Sequence, residues 1–293
     1  MSESPGRLFC FGLGYTGGAL ARRLLAGGWQ VAGTSREPSA LADLAAAGAQ
    51  LHRFDRGQPL PQPALAALKA ASHVLSTVPP DAEGDAVLDL HGEALRRLGQ
   101  ARWLGYLSTT NVYGDRGGDW VDEATPPAPT TARGRRRLAA ERRWLELYRQ
   151  AGRPVHIFRL AGIYGPGRSQ LEALRQGRAQ RIDKPGQVFS RIHLDDLIAT
   201  LLASMARPDP GAIYNVADDL PAPPAEVVAF AAGLLGVDPP PLVPFDQAAL
   251  SAMARSFYAE SKRVGNQRLK AELGVQLRYP DYREGLRALH QAE

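Results

Sequence analysis

The chain is poor in sulfur. Its 293 residues include one cysteine, Cys10, and three methionines. A lone cysteine excludes any disulfide within the chain, and a fold that needs none suits a reducing cytoplasm. Cys10 sits in an apolar run and reads as a small buried hydrophobe. No apolar run is long enough to span a bilayer, so no membrane partner is expected. Residues 1–7 read as a short polar lead without the apolar centre of a signal peptide. The six histidines lack metal-ligand spacing, so no metal is expected. There is no G-x-S-x-G elbow and no activated-cysteine setting, which leaves covalent hydrolase chemistry without support. Acid is in mild deficit: 35 Lys and Arg against 30 Asp and Glu leave a net charge of +5. The positive charges are interspersed with acids, which argues against nucleic acid as the partner. The one dense cluster, residues 133–143, reads as a solvated helix face or a site for the phosphates of a small ligand. Hydrophobic content of 44% and charged content of 22% describe a soluble globular protein, and the length suits one large domain or two modest ones.

What is present begins with residues 8–17. An apolar run, Leu8 to Phe11, meets Gly12-Leu13-Gly14-Tyr15-Thr16-Gly17 and opens into a helical stretch at 19–25. Gly12 permits a tight turn, Gly14 lets a pyrophosphate approach the backbone, and Gly17 lets the helix lie close to the strand. Tyr15 and Thr16 complete that turn. The N–H groups of the helix N-terminus then face phosphates. A second strand, 30–34, follows at βαβ distance. It ends in Thr34-Ser35-Arg36, where an acid would hold the 2′-hydroxyl of NAD. Ser35 and Arg36 offer a hydroxyl and a fixed cation instead, which suit the 2′-phosphate of NADP.

The rest alternates. Residues 39–48 read as a short helix capped by Ser39, and 50–55 as a strand with Asp55 at its end. A helix at 64–71 precedes a strand at 73–78, which Pro79 and Pro80 stop. Helices are expected at 86–99 and 131–150, with strands at 103–109, 155–160 and 212–216. Near-continuous apolar strands alternating with helices predict an α/β, doubly wound parallel sheet. Ligands in such sheets bind beyond the carboxyl ends of the strands. Gly12, Arg36, Asp55, Thr109 and the segment Thr77-Val78-Pro79 all fall there. Beyond Asp218 proline becomes dense and the texture changes.

Further blocks carry a resemblance. They are Ser108-Thr109-Thr110-Asn111-Val112-Tyr113-Gly114, Arg159 through Tyr164-Gly165-Pro166-Gly167, Ile192-His193-Leu194-Asp195-Asp196 and Tyr214-Asn215-Val216. In this order after the glycine turn, they resemble the extended short-chain dehydrogenase/reductase superfamily, the NAD(P)-dependent epimerase/dehydratase group. The turn departs slightly from the group's T-G-x-x-G-x-x-G, since Phe11 stands where its first glycine would be. The resemblance implies a Rossmann cofactor domain over residues 1–165, to which 188–217 return. It implies a smaller substrate-binding region in 166–293, a cleft between the two, and a homodimer built partly on the 131–150 helix.

The larger departure lies on that helix. Aligned on Glu141, Arg133 stands where the family has its catalytic tyrosine and Arg137 where it has the lysine. In the family the tyrosine passes the substrate proton while hydride moves at the nicotinamide, and the lysine binds the ribose. Thr109 matches the hydroxyl that holds the substrate oxygen. Arg137 retains donors for ribose hydroxyls, and Arg133 suits a developing alkoxide or an anionic group of the substrate. An arginine, with a pKa above about 12, is no general base near neutral pH. This resembles the atypical members, which keep the fold and lose the Tyr-x-x-x-Lys pair. Tyr164, Tyr113 and His193 remain as acid/base candidates. Two readings stay open. One is an NADP(H)-dependent oxidoreductase or epimerase-like enzyme acting on a small anionic or nucleotide-sugar-like substrate. The other is a non-catalytic NADP(H)-binding sensor.

Overall fold

The computed structural model describes residues 5–292, so the first four residues of the polar lead lie outside the described residues. β1 (Arg7–Phe11) is buried beyond its first residue, as an unbroken apolar run requires of a central strand. It passes through the glycine turn into α1 (Tyr15–Ala26), which ends on Gly27, and then β2 (Gln30–Ser35). The next stretch departs from expectation. A 3-10 turn, Pro38–Leu41, precedes α2 (Ala42–Ala46), whose N-cap is Leu41. Pro38 starts the turn before Ser39 can cap anything, because its ring already sets the helical φ.

β3 (Gln50–Arg53), α3 (Gln62–Ala70), β4 (His73–Ser76), α4 (Ala86–Arg96) and β5 (Trp103–Thr109) follow. After the short β6 (Trp120–Val121) come α5 (Ala132–Ala151), β7 (Val155–Leu160), β8 (Gly162–Tyr164), α6 (Gln170–Arg175), β9 (Arg181–Asp183) and β10 (Arg191–His193). The chain closes with α7 (Leu194–Ala206), β11 (Ile213–Val216), α8 (Pro224–Leu235), β12 (Leu242–Pro244), α9 (Ala252–Tyr258), β13 (Arg263–Val264), α10 (Gln267–Leu273) and α11 (Tyr282–Gln291).

The fold is α/β, a doubly wound sheet of seven strands in the order β11-β7-β5-β4-β1-β2-β3. β1 pairs in parallel with β2 and with β4, β2 with β3, and β4 with β5. The chain runs outward from β1 to β3, then returns to β4 on the other side of β1. The carboxyl ends of β1 and β4 therefore flank the point where strand order reverses, where such sheets hold ligands.

The chain forms two compact units. The first comprises the chain up to Ser108, Arg136–Phe158 and Leu201–Tyr214. Its core is aromatic and aliphatic, with Phe9, Phe11, Val74, Tyr106, Trp144 and Ile157 buried together. Two of its histidines pack as neutral rings. His73 meets Trp29 edge-on and His156 stacks on Trp103, and burial brings both imidazoles down to about 4. Cys10 is fully buried, and desolvation pushes its thiol up to about 12, which makes it inert. The second unit comprises Thr109–Arg135, Arg159–Thr200 and the chain from Asn215 on. Its core gathers Tyr164, Leu171, Val227, Ala231, Tyr282 and Leu286. Short parallel pairs, β8 with β10, β9 with β12 and β6 with β13, frame it.

Candidate functional site

In the first unit, the glycine turn is clamped from two strands. Gly12 has φ +92°. Its N–H donates to Thr34 Oγ1 at 3.0 Å, and its carbonyl accepts from Thr77 Oγ1 at 2.7 Å. A Cβ on Gly12 would lie 2.4 Å from Thr77 Oγ1. Gly17 has no room either, since its Cβ would stand 2.2 Å from the Gly12 carbonyl oxygen. Gly14 differs: it is the N-cap of α1, no side chain caps that end, and nothing lies within 4 Å of its would-be Cβ. Helix and strand are thus packed tight on one side of the turn, and the N-terminus of α1 looks into open space. A pyrophosphate needs that arrangement, with N–H groups and a dipole facing an unfilled cradle.

The remaining cofactor candidates lie at the same strand ends. Tyr15 is half-buried and Thr16 buried in the first turn of α1. Thr77 and Val78 are half-buried beyond β4, and Pro79 is exposed. The Ser35 hydroxyl accepts the Glu37 N–H at 3.1 Å, which leaves its own proton to donate. Arg36 is exposed. Asp55 is half-buried, bridges to Gln58 and sits 3.6 Å from Arg53. Sequence reasoning missed Thr34 as a clamp. The available signal was a hydroxyl within a buried strand, for Thr34 is 1% exposed.

Arg137 is also in this unit, and it turns inward. It is 7% exposed, and its Nη1 donates to the Leu107 carbonyl at 2.7 Å and to the Tyr106 hydroxyl at 3.1 Å. Around it lie buried carboxylates. Asp85 caps α4 and accepts from Trp144 Nε1 at 3.0 Å, while Glu141 accepts from the Ser108 hydroxyl. Burial raises the Asp85 carboxyl above its ordinary range, and the Trp144 bond and the Arg137 charge pull it back. Arg137 thus serves the end of β5 and offsets buried negative charge.

The second unit brings Thr109 and Arg133 to adjoining turns. The Thr109 hydroxyl accepts the Asn111 N–H at 3.3 Å, which shapes the turn beyond β5. The first turn of α5 lies against it, because a Cβ on Gly134 would stand 2.8 Å from the Asn111 carbonyl oxygen. Arg133, next to Gly134, is exposed, and its guanidinium lies 5.4 Å from the centroid of the Phe257 ring.

The other acid/base candidates are interior groups. Tyr113 is fully buried; it donates to Asn215 Oδ1 at 2.7 Å and accepts from Arg159 at 3.0 Å. Tyr164 packs against Gly285, where no Cβ would fit, and burial drives its phenol far above the usual range. It stays protonated near neutral pH, in the form that donates a proton. His193 lies between the Tyr164 and Tyr279 rings, Nδ1 accepts the Asp195 N–H at 3.1 Å, and burial lowers its basicity.

Near Tyr164, Asp218 is 1% exposed and its Oδ2 has no hydrogen-bond partner. Desolvation pushes its carboxyl up to about 8, with Arg191 opposing. The native state therefore keeps a proton that the unfolded chain loses near pH 4. Stability is lost as pH rises from there to about 8 and levels off above it. Asp218→Asn should flatten that slope and raise Tm at pH 8, by melting curves from pH 5 to 9. An unchanged slope would mean that Asp218 titrates normally.

Among the described residues no cluster of His, Cys, Asp and Glu could hold a metal, and no helix is long and apolar enough to cross a membrane. Residues 87–217 match the family model of the NAD dependent epimerase/dehydratase family. Protein YeeZ of Escherichia coli K12 is 32% identical over 281 residues, which cover 92% of this chain and 95% of YeeZ. The chain belongs to the NAD-dependent epimerase/dehydratase family. Members of this family work with a nicotinamide dinucleotide, and the open cradle over α1 fits one. The structure of a conserved protein from Silicibacter pomeroyi DSS is 51% identical, with a TM-score of 0.89 over 98% of this chain and 99% of that one. MoeE5, solved in complex with UDP-glucose and NAD, is 22% identical with a TM-score of 0.76 over 98% of both chains, a likeness of fold.

Proposed function

We propose that the protein is an NADP(H)-dependent oxidoreductase or epimerase/dehydratase-like enzyme acting on a small anionic substrate without a tyrosine relay. The observation that carries this is an open glycine turn paired with a free cation at the end of β2. Gly14 leaves the α1 N-terminus open, and Arg36 is exposed with no bonded partner among the described residues. Arg36 and the Ser35 hydroxyl suit a 2′-phosphate, whereas a ribose diol calls for a carboxylate.

A bound nicotinamide would supply or accept the hydride. The turn from Gly12 to Gly17 holds the pyrophosphate, and Thr34 and Thr77 keep that turn in shape. Thr109 holds the substrate oxygen by its hydroxyl. Arg133 gives a fixed positive charge to a developing alkoxide or to an anionic group of the substrate. It remains protonated, so the proton travels through another group or through water. The MoeE5 complex makes a nucleotide sugar one substrate to screen, by analogy of fold alone.

Titration with NADPH and NADH tests the cofactor. NADPH should bind more tightly, and Arg36→Ala should remove roughly tenfold or more of the NADPH affinity while leaving NADH unchanged. Equal affinity for both would sink the Arg36 assignment, and binding of neither would sink the oxidoreductase reading. The sensor reading has one observation in its favour, the inward turn of Arg137. Turnover that Arg133→Ala abolishes with cofactor binding retained decides for the enzyme.

A further inference from the structure

α9 is tied down over the first turn of α5 by contacts within the second unit. Thr130, just before α5, donates to the Glu260 carboxylate at 2.7 Å. Glu260 lies just beyond α9 and is fixed by a buried ion pair with Lys262 at 2.9 Å. Lys184 donates to the carbonyl of Tyr258, the last residue of α9. Phe257 is thereby held beside Arg133.

The pairing of cation with ring recurs next door. Lys184 Nζ lies 5.1 Å and the Arg255 guanidinium 5.2 Å from the centroid of the Phe245 ring. Lys184 donates to the Gln187 amide oxygen and the Tyr258 carbonyl, and Arg255 to the Ala248 carbonyl. Neither meets a carboxylate among the described residues, so both positive charges stand uncompensated. On α9 itself, Met253 and Phe257 lie one turn apart and are 65% and 38% exposed. Paired apolar exposure beside uncompensated cations is what an amphipathic anion requires. Its charge meets guanidinium or ammonium, and its body lies on the ring and the thioether.

We propose that α9 is a wall of the substrate site at Arg133 and that this wall selects an organic anion with a flat apolar body, of which an aryl carboxylate is the simplest case. The inference rests on the reading that Arg133 holds the anionic group of the substrate. A nucleotide also joins a flat ring to an anion, so the experiment must separate the two.

Calorimetric titration of the full chain with cinnamate, acetate and UDP-glucose, with and without NADPH, makes that separation. Cinnamate should bind more tightly than acetate. Phe257→Ala and Arg133→Ala should each weaken cinnamate by roughly tenfold, and Phe257→Tyr should restore it. The NADPH affinity of Phe257→Ala should match the parent, which excludes misfolding. Cinnamate binding no tighter than acetate, or untouched by Phe257→Ala, overturns the inference. So does a Phe257 effect confined to UDP-glucose, which would give the ring to a nucleobase. If Arg133→Ala weakens the anions and Phe257→Ala does not, the role of Arg133 survives and α9 is no wall. Loss of NADPH binding in the parent chain would strike the proposed function alone, since the anion titrations stand without it.

Discussion

Gly17→Ala is expected to remove dinucleotide binding, by roughly a hundredfold or more in Kd, and to lower Tm as well. The added Cβ would stand 2.2 Å from the Gly12 carbonyl oxygen and 3.0 Å from Cys10 Sγ. Both neighbours belong to a turn and a strand without slack, for Gly12 is bonded to Thr34 and Thr77. Relief must come from moving α1 away from β1, which carries the helix N-terminus off its aim. Two neighbouring changes give the contrast. Gly18→Ala meets its nearest atom at 3.4 Å, the flexible end of Arg22, and should keep binding and stability. Gly14→Ala meets nothing within 4 Å, so the fold should persist. Its methyl would nonetheless fill the space the pyrophosphate needs, and binding should fall without a fall in Tm. Calorimetry and melting curves on the three variants read out the pattern. Parent-like dinucleotide affinity in Gly14→Ala would mean that the cradle is not used.

Arg137→Leu should cost about 3–5 kcal/mol of stability, because it strips a cation from the neighbourhood of buried carboxyl groups. Asp85 and Glu141 are 2% and 1% exposed, and the Leu107 carbonyl would lose its donor. Arg137→Lys keeps the charge but not the planar guanidinium whose Nη1 reaches both Leu107 and Tyr106, so its loss should be intermediate. Urea unfolding measures both. The opposite pattern, with full stability and lost cofactor affinity in Arg137→Leu, would return Arg137 to the ribose role that its place in the chain implies.

Much of the site was legible along the chain, for physical reasons. An apolar run, spaced glycines and a helical stretch encode their own local conformation, so β1, the turn and α1 stand where the pattern put them. The motif blocks carried the family and the fold in the same way. Boundaries followed less well where a neighbour intervened: Pro38 pre-empted Ser39 as a cap, and β3 stops at Arg53 because Asp55 bridges to Gln58.

The sequence by itself determined the doubly wound α/β fold, the family, the glycine turn and the absence of a Tyr-x-x-x-Lys pair from the helix that carries Glu141. It also determined that a cation rather than an acid ends β2. Only the tertiary structure decided which partner each of those side chains meets. It put Thr34 and Thr77 on Gly12, turned Arg137 onto β5, and laid Phe257 from the far end of the chain over Arg133. Backbone conformation is set largely by residues a few places apart, through periodicity and turn chemistry. The direction of a long side chain is set by atoms that become neighbours only once the chain has folded.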